Sequence, residues 1–274
     1  MTKAGRVLWR LSLSAFIIYV LLLIFLFAAQ TGMIYYPSRE QYESPADAGL
    51  LFTEVTLRTS DGIDISAWYI PAAGSIGTLL YCHGNAGNIT HRVPLIKLYN
   101  GLKLDVLIFD YRGYGKSAGS PSEKGTYLDA EAAWDYLVNT LKTRPEKIII
   151  YGQSLGSGVA VETALRHRAG WLVIESGFKS IADLGREIFP FLPVGLIVRH
   201  KYASIDKVAQ ITMPKLIIHS PSDEMIPFEH GKALFEKAAA PKKFLRIKGG
   251  HNDGVLVSGK LYTDELEKFI TENL

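Results

Sequence analysis

Residues 148–158 read Ile148-Ile149-Ile150-Tyr151-Gly152-Gln153-Ser154-Leu155-Gly156-Ser157-Gly158, a β-branched run that breaks into Gly-x-Ser-x-Gly and continues in an alanine- and valine-rich helical pattern. A strand that turns straight into a helix around a serine has the form of a nucleophile elbow: small residues flank the serine because the turn is tight, and the hydroxyl is lifted to the strand's end above a helix N-terminus. The chemistry served by such a turn is acyl transfer to serine. The motif is weak by itself, and the chain contains a second match, Gly115-Lys116-Ser117-Ala118-Gly119. That match lies beyond a strand expected near 105–110, with no helix opening at it, so Ser117 reads as a loop serine. The same loop imitates a dinucleotide fingerprint at Gly113, Gly115 and Ala118, but no helix N-terminus faces those glycines. A phosphate loop fails because Asp110 stands at its required first glycine.

Working outward from the elbow, short apolar runs near 78–82, 105–110, 147–151, 171–175, 215–219 and 243–247 alternate with helical patterns, which implies a mostly parallel sheet covered on both faces. Ahead of them, Phe52 to Ile70 reads as two strands joined at Thr59-Ser60-Asp61-Gly62. Eight strands result. Ser120, Pro121 and Glu123 form the pattern of a capped helix start. Residues 178–211 interrupt the alternation with Phe189-Pro190-Phe191-Leu192-Pro193; the segment is longer than one crossover helix needs and reads as a short helical cap, with a kinked crossover helix as the alternative.

The 274 residues, 48% hydrophobic and 21% charged, suit one sizeable domain with an appendage. Lys3, Arg6 and Arg10 account for the net charge of +3, and the rest is balanced, so nothing points to a nucleic-acid partner. Cys82 is the single cysteine, which excludes an internal disulfide and a cysteine zinc cluster. Residues 11–29 carry no charge and contain thirteen Leu, Ile, Phe or Val, worth roughly −4 to −8 kcal/mol for insertion into a bilayer. An uncleaved membrane anchor is the reading. A cleaved signal peptide is the rival, but the run exceeds the usual apolar length and Leu26-Phe27-Ala28-Ala29 lacks a small-x-small site. With three cations before it, the N-terminus is expected on the cytoplasmic side and the domain on the far side. The organisation is then a tail and anchor over 1–30, a tether over 31–51 and a domain over 52–274 that contains the 178–211 cap.

A serine hydroxyl is a poor nucleophile at neutral pH, so Ser154 requires a neutral imidazole to take its proton and a buried carboxylate to orient that imidazole. In an open parallel sheet all three belong at carboxyl ends of strands. His251, in Lys248-Gly249-Gly250-His251-Asn252-Asp253, follows the last strand in a glycine-rich loop and is the candidate base. Asp223, after the strand at 215–219, is the candidate acid, with Glu175 as the alternative. The tetrahedral intermediate carries an oxyanion that needs fixed N–H donors. Leu155 offers one at the helix start, and Asn85 in the loop His83-Gly84-Asn85-Ala86-Gly87-Asn88 offers another. The His83 side chain reads as structural. Arg112 reads as half of an internal ion pair, with Asp110 or a neighbouring loop as its partner. Clustered histidine and carboxylate spacing for a metal is absent, and no cofactor is implied.

Taken together, HGNAGN at 83–88, DYRGYGKS at 110–117, GQSLGSG at 152–158, SDEMIP at 222–227 and GGHND at 249–253 resemble the α/β-hydrolase superfamily over about residues 31–274, and more closely its small, N-terminally anchored branch related to serine aminopeptidases, lysophospholipases and protein depalmitoylases. The resemblance implies the α/β-hydrolase fold, Ser154 as nucleophile, Asp223 as acid, His251 as base and the Asn85 and Leu155 amides as oxyanion hole. It carries an expectation of ester or thioester cleavage on a lipid or an acylated protein, with peptidase activity or a noncatalytic scaffold as the alternatives.

Overall fold

The computed structural model describes residues 2–272. It opens with helix α1 (Lys3–Ile34), whose first turn is capped by Thr2 accepting a hydrogen bond from the Gly5 N–H. Strand β1 (Tyr36–Pro37) follows, then β2 (Thr53–Arg58), β3 (Asp64–Ile70), β4 (Gly77–Cys82), the short β5 (Ala86–Gly87), helix α2 (Val93–Gly101), β6 (Leu104–Phe109), α3 (Glu123–Asp135), β7 (Ile148–Gln153), α4 (Leu155–Arg166) and β8 (Trp171–Glu175). After three short helices, α5 (Ile181–Ile188), α6 (Val194–Ile197) and α7 (Ser204–Lys207), the chain returns through β9 (Lys215–His219), α8 (Phe228–Lys237), β10 (Lys242–Arg246), α9 (Gly254–Ser258) and α10 (Lys260–Thr271).

The main sheet has eight strands in the order β10-β9-β8-β7-β4-β6-β3-β2. β2 and β3 form an antiparallel hairpin, β3 is antiparallel to β6, and every other pairing is parallel. The expected eight strands and the mostly parallel sheet are thus present. Side chains alternate between the faces, as a two-residue strand period requires. Leu80, Cys82, Ile148 and Ile150 join a core with residues of α3, α4 and α8. Leu79, Tyr81, Ile149 and Tyr151 join the other, with α2, α9 and α10.

This topology positions the site. β4 and β7 are neighbours, yet the chain leaves β4 toward β6 on one side and enters β8 from β7 on the other. Where the winding reverses, the loops beyond the carboxyl ends diverge and leave a crevice. The loop after β4 and the turn after β7 flank it.

Two local expectations need correction. The helix after residue 120 starts later than its Ser120 pattern indicates: Ser122 is the N-cap of α3 and accepts from the Gly125 N–H. Ser-Pro-Ser offers two capping hydroxyls in adjacent frames, and the frame that buries Ala130 and Ala133 prevails. The segment 31–51 does not run as a spacer. Residues 31–34 continue α1, Tyr35 is buried, and β1 pairs in parallel with β5. Its irregular pattern gave no sign of this because the bonds are made by backbone: Asn88 Nδ2, for example, donates to the carbonyls of Ser38 and Glu40 at 3.0 and 2.6 Å. Arg112 is half of an internal pair, as expected, and of the two partners considered it is the neighbouring loop that supplies one: Asp61 in the hairpin turn, joined by Asp129 on α3.

Candidate active site

The turn after β7 forces an unusual backbone on Ser154, φ 52° and ψ −121°, a sparsely populated region whose strain persists only when the surroundings over-determine it. They do so here. The Ser154 N–H donates to the Glu175 carbonyl at 2.9 Å, and the Ser154 carbonyl accepts from the Ser157 N–H at 2.9 Å. A side chain at Gly152 would collide with the Gly156 carbonyl and Ala160, and one at Gly156 would collide with the Cys82 carbonyl. The glycines of Gly-x-Ser-x-Gly are therefore steric requirements of strand and helix packed this closely.

Asp223 follows β9 in a tight turn whose Met225 and Ile226 N–H groups donate to its Oδ1 at 3.0 and 2.8 Å. His251 follows β10, its backbone N–H donating to Glu224 Oε2 at 3.0 Å. The imidazole joins the two other loops: Nδ1 lies 2.8 Å from Asp223 Oδ2, and Nε2 lies 2.9 Å from Ser154 Oγ. Burial pushes the Asp223 carboxyl up, but the hydrogen bonds from His251 and Ile226 outweigh it and hold the group below its usual value. An ionised carboxylate only accepts, so His251 Nδ1 carries the proton and Nε2 is left as the acceptor for the Ser154 hydroxyl. Ser154, Asp223 and His251, far apart in sequence, are all buried.

The remaining candidates fall as follows. Asn85 and Leu155 border the same cavity as Ser154 and His251. Asn85 is held on three sides: its Nδ2 donates to the Ile34 carbonyl at 2.9 Å, and its own carbonyl accepts from the Tyr36 N–H at 3.0 Å and Tyr114 Oη at 2.7 Å. Glu175, the alternative acid, is engaged elsewhere. It accepts from Gln153, Tyr262 and Tyr151, and burial raises its pKa against those bonds. His83 is fully buried, with Nδ1 on the Gly84 carbonyl at 2.7 Å, and burial holds it neutral, with its pKa lowered to about 3. Ser117 is a loop serine, donating to the Asp110 carbonyl and accepting from the Ser66 N–H. Among the described residues no group of three or more His, Cys, Asp or Glu is arranged to hold a metal ion.

The cavity above Ser154 has a volume of about 350 Å³, within the range of small-molecule sites. Its walls are Leu26, Gln30, Met33 and Ile34 of α1 on one side and the cap on the other, and among the described residues no Asp, Glu, Lys or Arg lines it. The contribution of α1 was missed from sequence. The one available signal was Gln30, an amide closing an apolar run, which is buried and exchanges hydrogen bonds with the cap backbone: its Nε2 donates to the Ile197 carbonyl and its Oε1 accepts from the Arg199 N–H, both at 2.7 Å.

The profile of the α/β hydrolase fold matches residues 77–183. The "alpha/beta hydrolase domain-containing protein WAV2" of Arabidopsis thaliana is 32% identical over 278 residues, covering 90% of each chain. The chain belongs to the α/β-hydrolase family. A second relative of that family, the "alpha/beta hydrolase domain-containing protein 17B" of Xenopus tropicalis, is 38% identical over 220 residues, 79% of this chain and 74% of its own. Among solved structures, the esterase Pf2001 of Pyrococcus furiosus superposes with a TM-score of 0.73 over 86% of this α/β hydrolase and 98% of its own length, at 21% identity. That likeness speaks to the fold.

Proposed function

We propose that this α/β hydrolase is a membrane-anchored serine hydrolase that cleaves carboxylic ester or thioester bonds of acyl substrates through an acyl-enzyme on Ser154. The observation that carries the reading is the continuous relay from Ser154 Oγ through His251 to Asp223, opening into an uncharged cavity. In the first half-reaction His251 Nε2 takes the Ser154 proton as Oγ bonds to the acyl carbon. The Asn85 and Leu155 N–H groups receive the oxyanion. Collapse breaks the bond to the alcohol or thiol, which leaves with the proton from His251. Water, deprotonated by the same imidazole, then attacks the acyl carbon, releasing the carboxylic acid and returning the proton to Ser154. Asp223 holds the imidazole and balances its transient positive charge.

A peptidase that releases N-terminal residues needs a carboxylate or a carbonyl cluster for the free amine, and among the described residues no acid lines the cavity. The test uses full-length protein in detergent, treated with a fluorophosphonate probe and assayed on p-nitrophenyl acyl esters and on aminoacyl amides. Labelling at Ser154 with turnover of esters is expected. Turnover of amides alone would transfer the reading to a peptidase, and neither labelling nor turnover by folded protein would leave a binding scaffold.

α1 is the proposed anchor. No residue of its apolar window is fully buried against the protein, and exposed Leu8, Phe16, Ile18 and Phe25 present an apolar surface that water disfavours and hydrocarbon does not. Lys3, Arg6 and Arg10 keep its N-terminal end on the cytoplasmic side, with the hydrolase domain across the membrane. A reporter active only outside the cytoplasm, fused to the C-terminus, is expected to give signal; silence there with activity of a cytoplasmic reporter would reverse the orientation.

A further inference from the structure

The tip of the cap, Ile188-Phe189-Pro190-Phe191-Leu192-Pro193-Val194-Gly195-Leu196-Ile197-Val198, has no charged residue, while Arg186 and Glu187 precede it and Arg199, His200 and Lys201 follow. It exposes the side chains that a soluble surface ordinarily hides: Leu196 is 87% exposed, Phe191 70% and Ile188 56%. This apolar surface is continuous with that of α1. At one end Gln30 bonds the cap backbone at Ile197 and Arg199, and at the other Tyr19 Oη donates to the Phe191 carbonyl at 3.2 Å. The helix rises about 16 Å between Gln30 and Tyr19 at about 1.5 Å per residue. The tip therefore reaches down beside the middle of the uncharged 11–29 stretch, and a bilayer that takes up that stretch takes up the tip with it.

Much of the tip's backbone, though not the Phe191 N–H, is suited to such a place. A peptide N–H in hydrocarbon must find its partner within the protein. The N–H groups of Phe189, Leu192, Val194, Leu196 and Val198 donate to carbonyls of residues 185–194, and Pro190 and Pro193 have none to satisfy. Arg199 lies over the Phe27 ring at 4.9 Å, a cation where the apolar run ends, as membrane interfaces favour. The cavity lies between the two elements. It extends from Ser154 to Leu26 of α1 and to Phe189 of the cap, with the inward-facing Leu192 and Ile197 along it.

We propose that the cap tip is immersed beside α1 in the acyl-chain layer of the membrane, and that the cavity between them receives, directly from that layer, the acyl chain of an ester or thioester resident there. The inference rests on the serine-hydrolase reading above and deepens it: α1 is a wall of the acyl site as well as the anchor, and its last carbonyl, on Ile34, fixes Asn85 in the loop that faces the reacting bond. Long chains partitioned into the leaflet are the substrates, and the scissile carbonyl is drawn up to Ser154 while the chain stays in an apolar medium throughout.

Two measurements on the full chain in phosphatidylcholine vesicles test this. In the first, Leu196→Cys is labelled with an environment-sensitive fluorophore; the single native cysteine, Cys82, is buried and does not compete. Quenching by lipids brominated on their acyl chains, with protection from aqueous iodide, is expected. Iodide quenching without an effect of brominated lipid overturns the proposal and leaves the tip as a surface for a soluble partner. In the second, Phe191→Asp and Leu196→Asp, at exposed positions outside the cavity lining, are assayed on p-nitrophenyl palmitate carried in the vesicles and on p-nitrophenyl acetate in water. A tenfold or greater loss on the palmitate with the acetate unchanged is expected. Equal loss on both, or on neither, overturns it. If the unsubstituted protein hydrolyses neither ester while the label at residue 196 sits in lipid, the hydrolase reading fails and the immersion of the tip stands.

Discussion

Replacing Ser154 with alanine is expected to abolish fluorophosphonate labelling and to lower ester turnover by about 10⁴- to 10⁶-fold, with the thermal midpoint little changed. The hydroxyl makes one side-chain bond, to His251 Nε2, and alanine keeps the Cβ, so the strained turn is neither relieved nor further burdened. His251→Ala should match it in activity, because an unactivated hydroxyl is as idle as a missing one. Its fold should survive, since Asp223 retains the N–H groups of Met225 and Ile226. Asp223→Asn is expected to cost about 10⁴-fold by letting the imidazole take the tautomer with its proton facing serine. The groups act as a unit, so the Ser154→Ala/His251→Ala double variant should be no slower than either single one. Residual turnover within tenfold of the unsubstituted protein for any of the three would remove that residue from the mechanism.

The sequence made this site legible because each of its residues is tied to a strand end, and strands of β-branched residues bounded by glycine announce themselves. The order of Asn85, Ser154, Asp223 and His251 along the chain is the order of loops around one edge of the sheet, so a reading of strands became a reading of the site. Legibility ended where partners come from elsewhere in the chain. Of the residues at that end of the helix only Gln30, an amide closing an apolar run, signals locally that the proposed anchor has a second role; that it walls a cavity follows from the cap backbone bonding Gln30. The segment after α1 gave no period because it forms a two-residue strand and backbone bonds, which any sequence can make. Ser120 and Ser122 are equivalent as isolated caps, and only the helix face that meets the core distinguishes them.

The same limit applies to Arg112, where sequence indicated an internal pair but not its members, and the second large effect is expected there. Arg112 Nε donates to Asp129 Oδ1 at 2.9 Å, its Nη1 and Nη2 reach both oxygens of Asp61 at 2.8 and 3.0 Å, and its backbone N–H donates to Asp129 Oδ2 at 2.8 Å. One side chain thus ties the β2–β3 turn to α3 through the loop after β6. Asp61 is partly exposed, whereas the Asp129 side chain is fully buried. Arg112→Met keeps the bulk and removes the charge; Asp61 returns to water, but Asp129 is left buried without its counterion, a change that costs about 3–5 kcal/mol at neutral pH. The cost depends on pH in a definite direction. Burial already pushes the Asp129 carboxyl up to about 6 in spite of Arg112, and without the guanidinium it rises further. A group whose folded pKa is raised contributes stability that is present below its unfolded value, near 4, and is lost as pH rises through its folded value. In the unsubstituted protein that loss is complete just above pH 6; in Arg112→Met it continues to higher pH. The gap between the two in denaturant unfolding should therefore widen from pH 5, where only the pair with the partly exposed Asp61 is lost, to pH 8, where the buried charge of Asp129 adds to it. Arg112→Met/Asp129→Asn should close most of the gap at pH 8, because the amide oxygen still accepts from the backbone N–H of residue 112 and no charge remains to be buried. A gap independent of pH, or one the second substitution leaves open, would mean that Arg112 contributes through packing and not through its charge.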